Sequence, residues 1–145
     1  MKKKILLPTV DLGTVGVSRY ICSIEKTFPS DVELLELSKN ISWRQAWKML
    51  RVRSLNYEQV WVHHIFPLGT VAMLIYFFYG VPYSVFLHGL DFDQARRSAL
   101  RRFVSKMILI AAQNVITNSR ALADEVSDFT DGIEPLVVYP CVTER

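Results

Sequence analysis

The chain is poor in cysteine, with only Cys22 and Cys141 among its 145 residues. The two cysteines lie far apart, form no C-x-x-C pair and have no cluster of histidines beside them. Neither a disulfide framework nor a structural zinc site is therefore indicated, and a reducing cytosol is the expected compartment. A domain of this length can bury enough apolar surface to fold without such crosslinks.

Several well-known motifs are also absent. The sequence contains no G-x-G-x-x-G, no P-loop ending in Lys-Ser/Thr, no G-x-S-x-G and no H-E-x-x-H. The first two absences argue against classical dinucleotide and NTP binding. The last two argue against hydrolases that use a serine elbow or a helix-borne zinc site.

Charged side chains are missing from residues 60–87, a stretch long enough to span a bilayer if it were one helix. It is interrupted by turn-forming and polar residues, namely His63, His64, Pro67, Gly69, Gly80 and Pro82. These interruptions divide the stretch into pieces of strand, loop and helix length. A buried part of a globular domain is therefore favoured over a membrane span.

The sequence does contain a regular alternation of short apolar runs with segments of helical periodicity. Strands are predicted at residues 4–8, 32–37, 59–63, 83–88, 114–117 and 136–139, and helices at residues 17–27, 42–54, 68–79, 94–112 and 119–129. This alternation predicts a single Rossmann-like three-layer α/β/α domain, with a mostly parallel sheet of about six strands and helices on both faces. The usual strand order 3-2-1-4-5-6 would place the fourth strand beside the first, with a crevice between their ends.

Polar residues gather where the predicted strands end. The fourth strand runs into His88, Gly89 and Asp91, while His63 and His64 follow the third strand. The fifth strand is followed by two more polar residues, Asn118 and Ser119. Ligands of parallel sheets bind beyond the carboxyl ends of the strands, so this edge is the predicted site. His88 is its central candidate and His64 the second; His63 is less favoured because it can point into the sheet.

Two further features at this edge have competing explanations. Asp91 and Asp93 form a D-x-D, a pattern typical of metal binding in sugar-nucleotide enzymes, but either residue also fits the N-cap of the helix predicted near residue 94. The cap is the favoured interpretation. The loop containing Gly13 and Gly16, between the first strand and a helix N-terminus, is suited to an anion because the first helical N–H groups are unpaired.

The helix predicted at residues 94–112 is basic and contains no acidic residue. Its cations are Arg96, Arg97, Arg101, Arg102 and Lys106, and apolar residues lie between them. Such a helix can be a solvated face, a contact with an anionic lipid surface, or a contact with a phosphate-bearing substrate. Nucleic acid is the least supported partner, because no nucleic-acid-binding motif accompanies the charge.

Five segments occur in a familiar order: Gly16-Val17-Ser18-Arg19, Val62-His63-His64, Val85-Phe86-Leu87-His88-Gly89-Leu90-Asp91, Val115-Ile116-Thr117-Asn118-Ser119-Arg120 and Val137-Val138-Tyr139-Pro140-Cys141-Val142. With these segments the chain resembles, over essentially its whole length, the N-terminal domain of family 4 retaining glycosyltransferases of the GT-B fold. The resemblance implies that the first loop lies near the donor diphosphate and the acceptor, and that His88 is the catalytic-site residue that contacts the donor sugar. The candidate substrate- or donor-binding residues are Gly13, Gly16, Ser18, Arg19, His64, Gly89, Asp91, Asn118 and Ser119.

The resemblance also sets expectations for organisation and partners. Residues 1–139 would form the acceptor-side domain, and residues 140–145 would begin a linker. The C-terminal donor-binding domain, to which the family's E-x7-E motif belongs, is expected to be absent from this chain. Half an active site is expected, with no appreciable transfer by the chain alone and no metal cofactor. The expected partners are a nucleotide-sugar donor, a glycan or lipid acceptor, a separately supplied C-terminal domain and an anionic membrane surface, at a cytoplasmic location or peripherally at the inner face of the membrane.

The alternative is a noncatalytic Rossmann-like module that binds an anionic ligand at the same edge, or that uses its apolar helix at residues 68–79 to bind a partner protein. A reading frame that continues into an E-x7-E motif would favour the enzyme over this alternative.

Overall fold

The computed structural model describes residues 4–9, 24, 26–27, 30–38 and 40–139. Its strands are β1 Ile5–Thr9, β2 Val32–Glu36, β3 Gln59–Val62, β4 Tyr83–Leu87, β5 Asn114–Thr117 and β6 Leu136–Val137. Its helices of more than one turn are α1 Trp43–Ser54, α2 Thr70–Tyr79, α3 Leu90–Ala95, α4 Ala99–Ala111 and α5 Arg120–Thr130, and a wide turn at Ile65–Gly69 leads into α2. Within the described part of the chain, no helix is both long and apolar enough to cross a membrane.

The six strands form one sheet in which every neighbouring pair is parallel, in the order β2-β1-β3-β4-β5-β6. This confirms the predicted single Rossmann-like α/β domain. The predicted strand order is wrong, because β3 and not β4 lies beside β1. The order reverses between β1 and β3, and ligands of such sheets typically bind beyond the strand ends at a reversal. His64, which lies just after β3, is closer to this point in the chain than His88.

The described helices are distributed unevenly over the two faces of the sheet. From β2 to β6 every crossover advances in the same direction, and right-handed crossovers then place the connecting helices on one face. Buried residues of all five helices accordingly join one core cluster with alternate strand residues such as Leu6, Val62 and Val85. On the opposite face Leu7 and Val32 form a smaller cluster, against which the helical residue Ile24 packs.

The central strand β4 is buried at all five positions, which explains why its sequence is apolar without alternation. Its first residue, Tyr83, donates its hydroxyl to the carbonyl oxygen of Ile108 in α4 at 2.5 Å. Burial raises the pKa of the Tyr83 phenol, so the hydroxyl remains a donor. This bond fastens α4 to the sheet.

Helix α1 begins where the sequence predicts it. The Ser42 side chain accepts the N–H of Gln45, and the Gln45 side chain accepts the N–H of Ser42. This reciprocal capping box satisfies two donors that the first turn would otherwise leave unpaired. Ala46 and Leu50 then face the core.

The single helix predicted at residues 94–112 is wrong, because the chain forms α3 and α4 with a break between them. Ser98 is in an extended conformation and its side chain accepts the N–H of Arg101, so it caps a new helix. A capping serine thus overrides the continuous helical periodicity on either side of it. The predicted N-cap role of Asp91 or Asp93 is also wrong: both lie in the first turn of α3, and Gly89 occupies the N-cap position.

Candidate functional site

The carboxyl edge of the sheet collects the polar residues that the sequence places after the strands. His63 and His64 follow β3, and His88 follows β4. Asn118, which follows β5, lines the same small recess as His88. The Ser119 side chain has a structural role instead: it accepts the N–H of Leu122 and caps α5.

Four aromatic rings form a ladder across β3 and β4 that ends at this edge. The parallel register pairs Trp61 with Ser84 and Val62 with Val85, so Trp61 and His63 share a face of the sheet with Phe86 and His88. The ring centroids of Trp61 and Phe86 are 5.4 Å apart, those of Phe86 and His63 4.8 Å, and those of His63 and His88 5.4 Å. We call these four residues the ring ladder.

The two histidines of the ring ladder are hydrogen-bonded, with His63 Nδ1 3.1 Å from His88 Nε2. His63 is fully buried, and this burial, together with the nearby His88 and His64, lowers its pKa to about 3. Burial also lowers the pKa of His88, although Asp91 acts in the opposite direction. Both imidazoles are therefore neutral at physiological pH, and one must donate while the other accepts.

Asp91 closes the loop that follows β4. Its Oδ1 accepts the backbone N–H of His88 at 3.2 Å. Burial raises the pKa of the Asp91 carboxyl, while the hydrogen bond from His88 lowers it. Its Oδ2 is buried and has no hydrogen-bond partner among the described residues, so it is an acceptor suited to a ligand donor.

The D-x-D does not form a metal-binding pair. Asp93 is exposed and pairs with Arg96 at 2.6 Å, whereas Asp91 faces the loop at His88. Two positions apart on a helix, the two carboxylates point in different directions. Across the described residues there is no group of three or more His, Cys, Asp or Glu side chains that could hold a metal ion.

Two glycines shape the backbone around the histidines. Gly89 has φ 103°, a conformation that other residues rarely adopt, and it turns the chain directly into α3. Gly69 donates its N–H to the His64 carbonyl oxygen at 3.0 Å, and a Cβ atom at this position would lie 3.0 Å from the same oxygen. Gly89 is therefore required by its backbone conformation, whereas a side chain at Gly69 would crowd the His64 carbonyl.

A cavity of about 350 Å³ lies on the face of the sheet that carries the ring ladder. Trp61 and Phe86 line it together with Ile24, Gln59, Ser84, Asn114, Ile116, Leu136 and Val138. Phe86, Ile116 and Val138 also line the recess beside His88. An apolar surface therefore leads along the sheet to the histidine edge.

The candidate residues of the first loop, Gly13, Gly16, Ser18 and Arg19, lie outside the described residues, as do residues 140–145.

His63 is less favoured by the sequence than the other two histidines, yet in the structure it is fully buried and hydrogen-bonded to His88. Its signal was the repetition of aromatic-x-His in two successive strands, Trp61-Val62-His63 and Phe86-Leu87-His88. In neighbouring parallel strands this spacing places both histidines on one face.

The predicted basic residues divide into two groups. Arg96 pairs with Asp93 and with Glu125 at 3.1 Å, and Lys106 pairs with Asp131. The other three cations, Arg97, Arg101 and Arg102, are exposed and form no ion pair within the described part of the chain. Beside them α4 exposes an apolar stripe at helical spacing, formed by Leu100, Phe103, Met107 and Ile110.

An all-parallel sheet flanked by helices defines a Rossmann-like α/β domain, a class in which ligands bind beyond the carboxyl ends of the strands. A family model, that of the glycosyl transferase 4-like domain, matches residues 26–141 and so covers most of the chain, including His63, His88 and Asp91. The chain belongs to this glycosyltransferase family. A search among curated proteins found none that matches it.

Proposed function

We propose that this domain is the acceptor-side half of a retaining GT-B glycosyltransferase that transfers a sugar from a nucleotide-sugar donor to a glycan or lipid-linked acceptor. The observation that carries the proposal is the neutral, half-buried His88 at the end of β4, held by His63 on its side chain and by Asp91 on its backbone. A neutral imidazole in a fixed position can orient a sugar hydroxyl by a hydrogen bond. His88 is proposed to orient the donor sugar and not to act as a nucleophile.

The remaining edge residues are proposed to complete the substrate side of the cleft. The buried Asp91 Oδ2 supplies an acceptor near His88, and Asn118 supplies an amide across the recess. The first loop, with Gly13, Gly16, Ser18 and Arg19, is proposed to lie near the donor diphosphate. As the diphosphate leaves, helix N-termini and cationic groups would stabilise its negative charge.

A GT-B active site needs a second, donor-binding domain, which we propose faces the carboxyl edge. In this arrangement residues 1–139 form the acceptor-side domain and residues 140–145 begin the linker. The chemistry needs no metal ion, because cationic side chains and helix dipoles supply the charge stabilisation.

The test is sugar transfer by the chain combined with its donor-binding domain. We expect His88→Ala to lower kcat/KM by about 100-fold, the effect of removing one preorganised hydrogen-bonding group. Gln113→Ala, an exposed change at the opposite edge of the sheet, is the control and should leave the rate unchanged. Equal activity of the His88→Ala variant and the unchanged protein would contradict the assignment.

A second candidate is a noncatalytic binding or assembly module, which the exposed aromatic end of α2 favours. Phe77 is 58% and Phe78 71% exposed. Exposed aromatic side chains of this kind are typical of protein interfaces. A sugar-transfer assay with the donor-binding domain present separates the two candidates, because the noncatalytic module predicts no transfer.

We further propose that the domain works at the inner, anionic face of a membrane. Arg97, Arg101 and Arg102, which form no ion pair with any described residue, lie next to the exposed apolar stripe of α4. Between residues 94 and 112 there is no acidic residue to oppose them. An apolar stripe flanked by cations is the arrangement that binds an anionic lipid surface.

Vesicle co-sedimentation tests this location. The double variant Arg101→Gln/Arg102→Gln should lose affinity for anionic vesicles, by about 1 kcal/mol for each cation near the surface. Lys106→Gln is the matched control and should lose less, because Lys106 is already paired with Asp131. Equal binding of the unchanged protein to anionic and neutral vesicles would contradict the proposal.

A further inference from the structure

His63 is placed to control His88. It is the first residue after β3, and the pairing of Val62 with Val85 fixes its backbone beside β4. Its ring is fully buried and stacks on Phe86, with an angle of 23° between the ring planes. The His88 ring lies nearly parallel to it, at an angle of 15°. A ring confined in this way has a fixed orientation toward its hydrogen-bond partner.

We propose that His63 is a positioning residue, which holds His88 in one neutral tautomer through the hydrogen bond between His63 Nδ1 and His88 Nε2. A neutral imidazole has one N–H and one lone pair. The bond must therefore join the N–H of one ring to the lone pair of the other. If His88 Nε2 donates in this bond, His88 Nδ1 carries the lone pair and can only accept. If Nε2 accepts, Nδ1 carries the hydrogen and can only donate.

The backbone of His88 is fixed independently of its ring. Asp91 Oδ1 accepts the His88 N–H, and the positive φ of Gly89 directs the chain into α3 immediately afterwards. Among the described residues, the ionisable groups that act on His88 include His63, His64 and Asp91. His63 is hydrogen-bonded to the His88 ring, whereas Asp91 is hydrogen-bonded to the His88 backbone. Removal of His63 should therefore change the tautomer while leaving the backbone in place.

The consequence for catalysis rests on the function proposed above. A sugar hydroxyl can both donate and accept, so it does not select a tautomer by itself. A His88 ring fixed in one tautomer presents one defined hydrogen-bonding role and would select one orientation of that hydroxyl. The tautomer itself is a property of the domain and does not depend on any ligand.

The experiment is long-range ¹H–¹⁵N NMR on the ¹⁵N-labelled chain, which distinguishes protonated from unprotonated ring nitrogens. In the unchanged protein, the two His88 nitrogens should give well-separated signals of one tautomer. In His63→Phe the ring stacking is kept but the hydrogen bond is lost, so the two signals should move toward the average of both tautomers. His63→Asn, whose amide lies near the position of Nδ1, should restore part of the separation.

His64→Phe is the matched control, because it changes the adjacent histidine, which has no described hydrogen bond to the His88 ring. The His88 signals should stay unchanged in this variant. Unchanged His88 signals in a folded His63→Phe variant would overturn the proposal. If that variant does not fold, unchanged signals in His63→Leu, which also removes the hydrogen bond to His88, would overturn it. Transfer assays on His88→Ala test the proposed function separately. The effect of His63→Phe on the His88 tautomer is measured without a ligand, so it does not depend on whether His88 contacts a sugar.

Discussion

Ionisable side chains gather in two regions of this domain, and burial gives the two regions opposite properties. At the carboxyl edge, His63, His88 and Asp91 are largely removed from water and joined by hydrogen bonds. On α4, Arg101 and Arg102 are exposed to solvent. Desolvation turns the first region into a set of fixed, mostly neutral hydrogen-bonding groups, whereas the second supplies a long-range field that salt can screen. Single substitutions should therefore have large effects at the edge and small effects on α4.

The largest expected difference is between two phenylalanines, one in each region. Phe92 in α3 is fully buried, with its ring 5.3 Å from Phe129 and 4.5 Å from the Arg96 guanidinium, whereas Phe103 in α4 is 63% exposed. Phe92→Ala should lower the free energy of unfolding by about 3–5 kcal/mol, because it leaves a cavity. Phe103→Ala should change it by about 0.5 kcal/mol or less. Denaturant unfolding followed by circular dichroism measures both, and equal losses would remove the distinction between the regions.

The pH dependence of stability is the next largest effect. Burial lowers the pKa of His63 from 6.5 to about 3, so below about pH 6.5 the unfolded chain takes up a proton that the folded protein does not. Stability is then lost as the pH falls, by about 1.4 kcal/mol per pH unit for this histidine. His88, whose pKa is also lowered, adds to the loss.

Asp91 acts in the opposite direction at lower pH. Its pKa is raised, so the folded carboxyl takes up its proton before the unfolded one and regains stability. The slope is therefore best measured just below pH 6.5, by urea unfolding at closely spaced pH values. His63→Phe should make the slope clearly shallower; an unchanged slope would show that His63 is not the group responsible.

Much of this fold can be predicted from the sequence, because its elements are bounded by local signals. The strand at residues 114–117 has the predicted bounds, and α1 begins at its predicted capping serine, Ser42. The strand order could not be predicted in this way. The placement of β3 beside β1 depends on pairing between segments far apart in the chain, and no local signal reports it.

The same division applies to the candidate site. The position of His88 at a strand end follows from the apolar run before it and from Gly89 after it. Its bond to His63 depends on the register between β3 and β4, which only the assembled sheet fixes. The break at Ser98 had a local signal, a serine that can cap a helix, but the continuous periodicity of the flanking residues concealed it.

Ser98 separates the two regions, and its removal should have a moderate effect. Ser98→Ala removes the side-chain acceptor for the Arg101 N–H and should cost about 1 kcal/mol of unfolding free energy. Ser127→Ala in α5, whose hydroxyl has no described capping role, should change stability by about 0.5 kcal/mol or less. If the two regions are independent, the His88 ring signals stay unchanged in Ser98→Ala. A shift of those signals would show that the start of α4 and the histidine edge are coupled.

The smallest effect is expected at the paired cation of α4. Lys106→Gln breaks the ion pair with Asp131, but both side chains are substantially exposed, at 36% and 76%. Solvent screens such a pair, so its loss should cost about 0–1 kcal/mol, and the difference should shrink further as salt is added. Thermal unfolding at low and high ionic strength measures this difference. A loss as large as that of Phe92→Ala would mean that the charges of α4 also stabilise the fold. The proposed difference between the carboxyl edge, which fixes geometry, and α4, which supplies an electrostatic field, would then be wrong.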